Sequence, residues 1–115
     1  MMKLLTKTVE KMTPAIGDTE NIAIVEKTAT ARFFNPVGCG TWYMIEMDPK
    51  TGEAFGMCHI FEWELGYFDL TELQSLKLPM GLGIERDICF QPTKLKEIGE
   101  IEEYFKWDRQ EEGCE

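Results

Sequence analysis

At 115 residues, with 43% hydrophobic and 11% aromatic side chains, the chain is long enough for one domain with a real core and too apolar for wholesale disorder. A net charge of −9 and a pI near 4.6 argue against direct nucleic-acid binding, which needs clustered Lys and Arg to neutralise phosphates. No apolar run approaches the roughly 20 residues that span a bilayer, and MMKLLTKTVEKM lacks the apolar core and cleavage site of a signal peptide, so a cytoplasmic location with no membrane partner is expected.

Thr6 is expected to cap a short helix carrying Leu5, Val9 and Met12 on one side, which Pro14 ends. Residues 15–21 have loop chemistry. Ile22 to Phe34 is rich in β-branched and aromatic residues and reads as one long strand or two short ones, ended by Asn35-Pro36. Thr41 to Met47 and Ala54 to Phe61 read as two strands around a hairpin loop, Asp48-Pro49-Lys50-Thr51-Gly52, and Gly66 to Phe68 as a short third. Asp69, three residues before Glu72, opens a helix with Leu70, Leu73 and Leu76 on one side. Pro79 and Gly81-Leu82-Gly83 make a loop; a lone G-x-G without strand–turn–helix context is no phosphate loop. Ile84 to Phe90 reads as a further strand, broken by Gln91-Pro92. Thr93 is expected to cap a last helix with Leu95, Ile98, Ile101 and Phe105 in register. The expected fold class is α+β: a small antiparallel or mixed sheet built around a central hairpin, flanked by two or three helices, in a single domain spanning residues 1–115 with an acidic C-terminal helix or tail from about 97.

Three stretches, GTWYMIEMDP (40–49), AFGMCHIFEWELGYFDLTELQSL (54–76) and LGIERDICFQP (82–92), together with LLTKTVEKMTP (4–14), resemble domain-of-unknown-function family 2958. The resemblance covers roughly residues 1–98 and rests on the series TWY, ELGYF-x-L-x-EL and IERD in that order. It implies a small bacterial protein of plasmids and conjugative elements, with no agreed reaction and no catalytic residues to carry over. Small acidic proteins of such elements are often similar in role to anti-defence factors. Cys39, Cys58, His59 and Cys89 depart from the family pattern, and the acidic tail extends past it.

Residues 97–115 hold eight carboxylates against two cations, a balance of −6 out of the total −9, with Tyr104, Phe105 and Trp107 interleaved. Concentrated charge with aromatics suits a protein-binding surface. The expected partner-binding residues are Trp63, Glu100, Glu102, Glu103, Trp107, Asp108, Glu111 and Glu112. The expected partner is a basic protein surface that otherwise holds nucleic acid. The expected function is therefore non-enzymatic: a mobile-element protein that inhibits a host defence nuclease, of anti-CRISPR or anti-restriction type, by blocking nucleic-acid loading. Alternatives are a small metal-dependent enzyme and an accessory protein of plasmid transfer.

The metal alternative rests on Cys39, Cys58, His59 and Cys114, whose ligand types suit structural Zn²⁺, although no C-x-x-C pair is present. Cys58 and His59 are strand neighbours and point to opposite faces, so they form no catalytic dyad and only one of them can join Cys39. Cys89, between Ile88 and Phe90, reads as a core thiol. Glu46/Asp48, Glu62/Glu64 and Glu85/Asp87 are i, i+2 carboxylate pairs that could share a sheet face for metal-dependent hydrolysis or for simple solvation.

Overall fold

Residues 22–69 are rich in β-branched and aromatic residues, and most of that stretch becomes antiparallel sheet. The computed structural model describes residues 2–102 and 104–105. In chain order the elements are α1 (Lys7–Met12), β1 (Thr28–Ala29), β2 (Ala31–Phe34), β3 (Thr41–Met47), β4 (Glu53–His59), β5 (Trp63–Asp69), α2 (Leu70–Ser75), β6 (Glu85–Arg86) and β7 (Thr93–Lys94). Single 3₁₀ turns lie at Ile24–Glu26, Pro79–Gly81, Leu95–Glu97 and Gly99–Ile101.

Five strands form one antiparallel sheet in the order β5-β4-β3-β2-β6, and β1 pairs with β7 in a separate ladder. The fold is therefore mostly β, which corrects the expected α+β class. Among the described residues, two sheets and two bounded six-residue helices, with helical backbone again at 102 and 104–105, stand where a hairpin-centred sheet flanked by two or three helices was expected. Both short helices have side-chain caps: Thr6 Oγ1 accepts from Val9 N–H at 3.2 Å, and Asp69 Oδ1 accepts from Thr71 N–H at 2.7 Å.

The expected C-terminal helix accounts for much of the difference. Thr93 caps nothing; it lies in β7, and the chain continues as two 3₁₀ turns separated by Ile98 at φ −90°, ψ 106°. The spacing explains the difference. Leu95, Ile98 and Ile101 recur every third residue, the period of a 3₁₀ turn, and Gly99 weakens any continuous α-helix by about 1 kcal/mol relative to Ala. The three still point one way and are buried, with Phe105, in a single cluster.

Two strands also differ in length. β5 is seven residues rather than three, and pairs with β4 throughout, from His59↔Trp63 to Glu53↔Asp69. β6 is only two residues. Beyond it the Asp87 carboxylate accepts the Cys89 N–H at 3.0 Å and the Asp87 carbonyl accepts the Phe90 N–H at 3.2 Å, turning the chain out of the sheet. Cys89 is consequently exposed, not a core thiol.

β3 is covered on both faces. Trp42, Met44 and Met47 lie in one core with Leu4, Val9, Leu70 and Leu73, while Tyr43 and Ile45 lie in a second with Met57, Leu95, Ile98, Ile101 and Phe105. Met44 and Met47 are three residues apart, yet they share a core, which strict alternation forbids. A bulge supplies the extra residue: Met44 pairs with Gly56, and the next pair is Glu46 with Phe55. The backbones approach so closely here that a Cβ on Gly56 would stand 1.8 Å from the Tyr43 carbonyl oxygen. Its register partner Gly66 has open space around it. Gly56→Ala is therefore expected to destabilise the fold by about 3 kcal/mol or more, whereas Gly66→Ala changes it by less than about 1 kcal/mol, measured by urea denaturation.

Candidate functional site

The bulge carries a carboxylate into the interior. Glu46 is 4% exposed, and it accepts hydrogen bonds from Gly17 N–H at 2.8 Å, from Thr19 N–H at 2.9 Å and from the Thr19 hydroxyl. Thr19 in turn accepts from Lys27 Nζ, through its carbonyl oxygen and, at 3.1 Å, through Oγ1. Lys27 is 6% exposed. Thr19 thus relays between a buried cation and a buried anion, with every proton placed on a donor. Burial pushes the Glu46 pKa up, but the Thr19 hydroxyl, the two N–H groups and Lys27 outweigh it and hold the carboxyl below its ordinary value. A saturated buried network of this kind fixes loop 15–22 against the sheet rather than leaving an acid free for chemistry.

A second cluster lies on the same side of the sheet. Arg32 Nε donates to the Tyr43 hydroxyl at 3.1 Å, Tyr43 donates to Glu100, and Arg32 reaches Glu100 at 3.4 Å and Asp87 at 3.6 Å. The guanidinium also stacks over Phe34 and Tyr43, 5.1 and 5.8 Å from the ring centroids. Burial, then the Glu100 carboxylate, raises the Tyr43 pKa well above the ordinary phenol value. Glu100, expected to face a partner, therefore ties the C-terminal segment to β2 and β3.

The other anticipated residues fall apart. Cys58 packs against the first core, and His59 stacks on Trp63 at 4.8 Å on the other face. Burial and then Glu64 push the Cys58 thiol up to about 12, the setting of an inert thiol. Cys39 is exposed in the loop before β3, and Cys114 lies outside the described residues. Among the described residues no three His, Cys, Asp or Glu side chains come together to hold a metal ion. Nor do the carboxylate pairs act as pairs: Glu46 is enclosed while Asp48 caps the turn by accepting Lys50 N–H at 2.9 Å, and Asp87 is held by Arg32. Trp63 is half-buried beside Tyr43, 5.8 Å between centroids, instead of standing free as an anchor. Glu102 is exposed just after the second turn; Glu103, Trp107, Asp108, Glu111 and Glu112 lie outside the described residues.

What the arrangement does present is an acidic edge. Residues 51–76 contain no Lys or Arg, and Glu53, Glu62, Glu64 and Glu72 are exposed along β4, β5 and α2. Phe61, 96% exposed, stands at the tip of the β4–β5 hairpin, with Ile60 and Tyr67 also exposed nearby. Because β5 is the sheet's outer strand, alternate N–H and C=O groups point away from β4. The cation gap between Lys50 and Lys77 was visible in the sequence, as was the isolation of Glu46 within TWYMIEM; neither signalled its role without the register.

A carboxyl whose folded pKa lies below the ordinary 4.5 stabilises the fold above that pH, and the contribution is lost as pH falls through the folded value. Glu46→Gln is therefore expected to cost about 2 kcal/mol or more at pH 7. It should also flatten the loss of stability below about pH 4.5, as measured by urea denaturation from pH 7 to 3.

No curated protein and no solved structure matches the chain. A family described as "Protein of unknown function (DUF2958)" matches residues 4–113, so the acidic segment expected to extend past the family lies almost wholly within it. With TWY on β3, ELGYF on β5 and IERD around β6 all inside that match, the chain belongs to the DUF2958 family.

Proposed function

We propose that this protein is a mobile-element binding protein with no reaction of its own, which occupies a basic, nucleic-acid-binding surface of a host defence nuclease and so blocks loading of DNA or RNA. The observation that carries this reading is the acidic edge: four exposed carboxylates with no neighbouring cation in sequence, and a fully exposed Phe61 at the hairpin tip. A groove built for phosphates is electropositive, so such an edge is steered to it and held there, more weakly as salt rises. Phe61 supplies an aromatic side chain to be buried on binding, of the kind that dominates interface energetics. The open side of β5 can add a strand of the partner, which brings backbone hydrogen bonds to an otherwise charge-driven contact. The acidic segment 97–115 adds long-range charge of the same sign. Family resemblance contributes the mobile-element setting, in which a host nuclease is the natural antagonist.

The test is a binding competition. Purified RNA-guided nucleases and restriction endonucleases are each mixed with the protein before labelled target nucleic acid is added. Wild-type protein is expected to prevent binding by at least one nuclease at a 1:1 ratio in low salt. The variant Phe61→Ala/Glu62→Lys/Glu64→Lys is expected to lose at least about 30-fold in potency. An intact triple-variant effect, or a wild-type protein that spares every nuclease, contradicts the proposal. Selective capture of a plasmid-transfer protein would replace it with the accessory role.

A further inference from the structure

Three large apolar side chains that the packing leaves exposed, Met12, Ile22 and Ile88, all border one cleft on the side of the molecule away from β5. The cleft has two lobes of about 350 Å³ each, and Met12, Thr30 and Pro92 line both. One lobe opens between α1 and the turn after β6, walled by Val9, Ile88 and Phe90, with Thr8, Arg86 and Gln91 as polar groups. The other lies past Met12, lined by Pro14, Ile22 and Thr28 together with Glu26, whose carboxylate is already paired with Lys94 and Lys96. Each volume falls at the lower end of the range for small-molecule pockets, about 300–1,000 Å³.

Arg86 gives the first lobe a chemical character. Its side chain lines the lobe, and among the described residues no carboxylate pairs with its guanidinium. Asp87, which also lines this lobe, is already held by Arg32 at 3.6 Å and by the Cys89 N–H at 3.0 Å. A guanidinium cannot shed its charge by deprotonating, so an oxyanion in this lobe would supply the counter-charge that the described residues do not. Exposed Ile88 (71%) and Met12 on the rim call for an apolar body attached to it, which neither water nor a bare inorganic anion provides.

We infer that this cleft binds a small amphiphilic carboxylate, with the carboxylate on Arg86 and the alkyl or aryl body over Val9, Met12 and Ile88 toward Ile22. The site lies at the β6 edge of the sheet, opposite the acidic β5 edge, and is independent of the partner reading.

Octanoate and 1-octanol, which share a body and differ in the head group, provide the test by amide-resolved NMR titration of the full chain. Octanoate is expected to shift the amides of Thr8, Val9 and Ile88 saturably, with 1-octanol at least about tenfold weaker. Arg86→Gln is expected to weaken octanoate by a similar factor. Ile88→Glu, a surface change that places a like charge on the rim, should do the same should Arg86→Gln prove unstable. Non-saturable shifts, equal affinity for 1-octanol, unchanged affinity in either variant, or inorganic phosphate binding as tightly as octanoate would each overturn the inference.

Discussion

The Tyr43 carbonyl and the Gly56 backbone approach more closely than any side chain at residue 56 would permit, and the arrangement of both cores follows from that contact. The bulge beside it resets the alternation of β3, so that Met47 rejoins Met44 on one face while Ile45 and Glu46 follow Tyr43 on the other. Without the extra residue, one of the two methionines would leave its core and Glu46 would face the apolar side occupied by Leu70 and Leu73. A glycine and one inserted residue thus decide where the buried charge goes.

That charge organises the periphery. Glu46 holds Gly17 and Thr19, Thr19 holds Lys27, and the Lys27 carbonyl accepts the Leu95 N–H at 2.9 Å. Loop 15–22, the strand pair β1–β7 and the start of the C-terminal segment are therefore connected through one polar chain. The Arg32–Tyr43–Glu100 cluster closes the same segment further along. Between these two polar attachments, Leu95, Ile98 and Ile101 cover the second face of the sheet. The acidic side chains serve two ends: Glu100 ties the C-terminal segment to the sheet, whereas the carboxylates along the β5 edge face outward.

Much of this was legible in the residues. The turn at residues 48–52, the strands on either side of it, and the caps at Thr6 and Asp69 carry local signals that the structure retains. The opposed faces of Cys58 and His59 likewise follow from strand parity alone. Other features depend on pairing that no local pattern encodes. WELGY reads poorly as a strand because Glu64 and Gly66 interrupt it, yet full pairing with β4 makes it one. Ile88-Cys89-Phe90 looks like a core strand, but Asp87 captures the following N–H groups first. The every-third-residue spacing after Thr93 fits a 3₁₀ turn as well as one face of a helix, and only the covering of β3 decides between them. The candidate functional surfaces were the least legible, because an acidic edge and an orphaned Arg86 are properties of neighbours rather than of motifs.

The described C-terminal residues, from Leu95 to Phe105, form a structural layer of the sheet and not an appended acidic tail. Native-state hydrogen exchange tests this most directly, through the amides of Leu95, Ile98 and Ile101, bonded to the carbonyls of Lys27, Leu95 and Ile98, against Met47 in β3, bonded to Pro14. All four are expected to exchange only through global unfolding, with one common opening free energy. Exchange of Leu95, Ile98 and Ile101 through a separate low-energy opening while Met47 stays protected would contradict it.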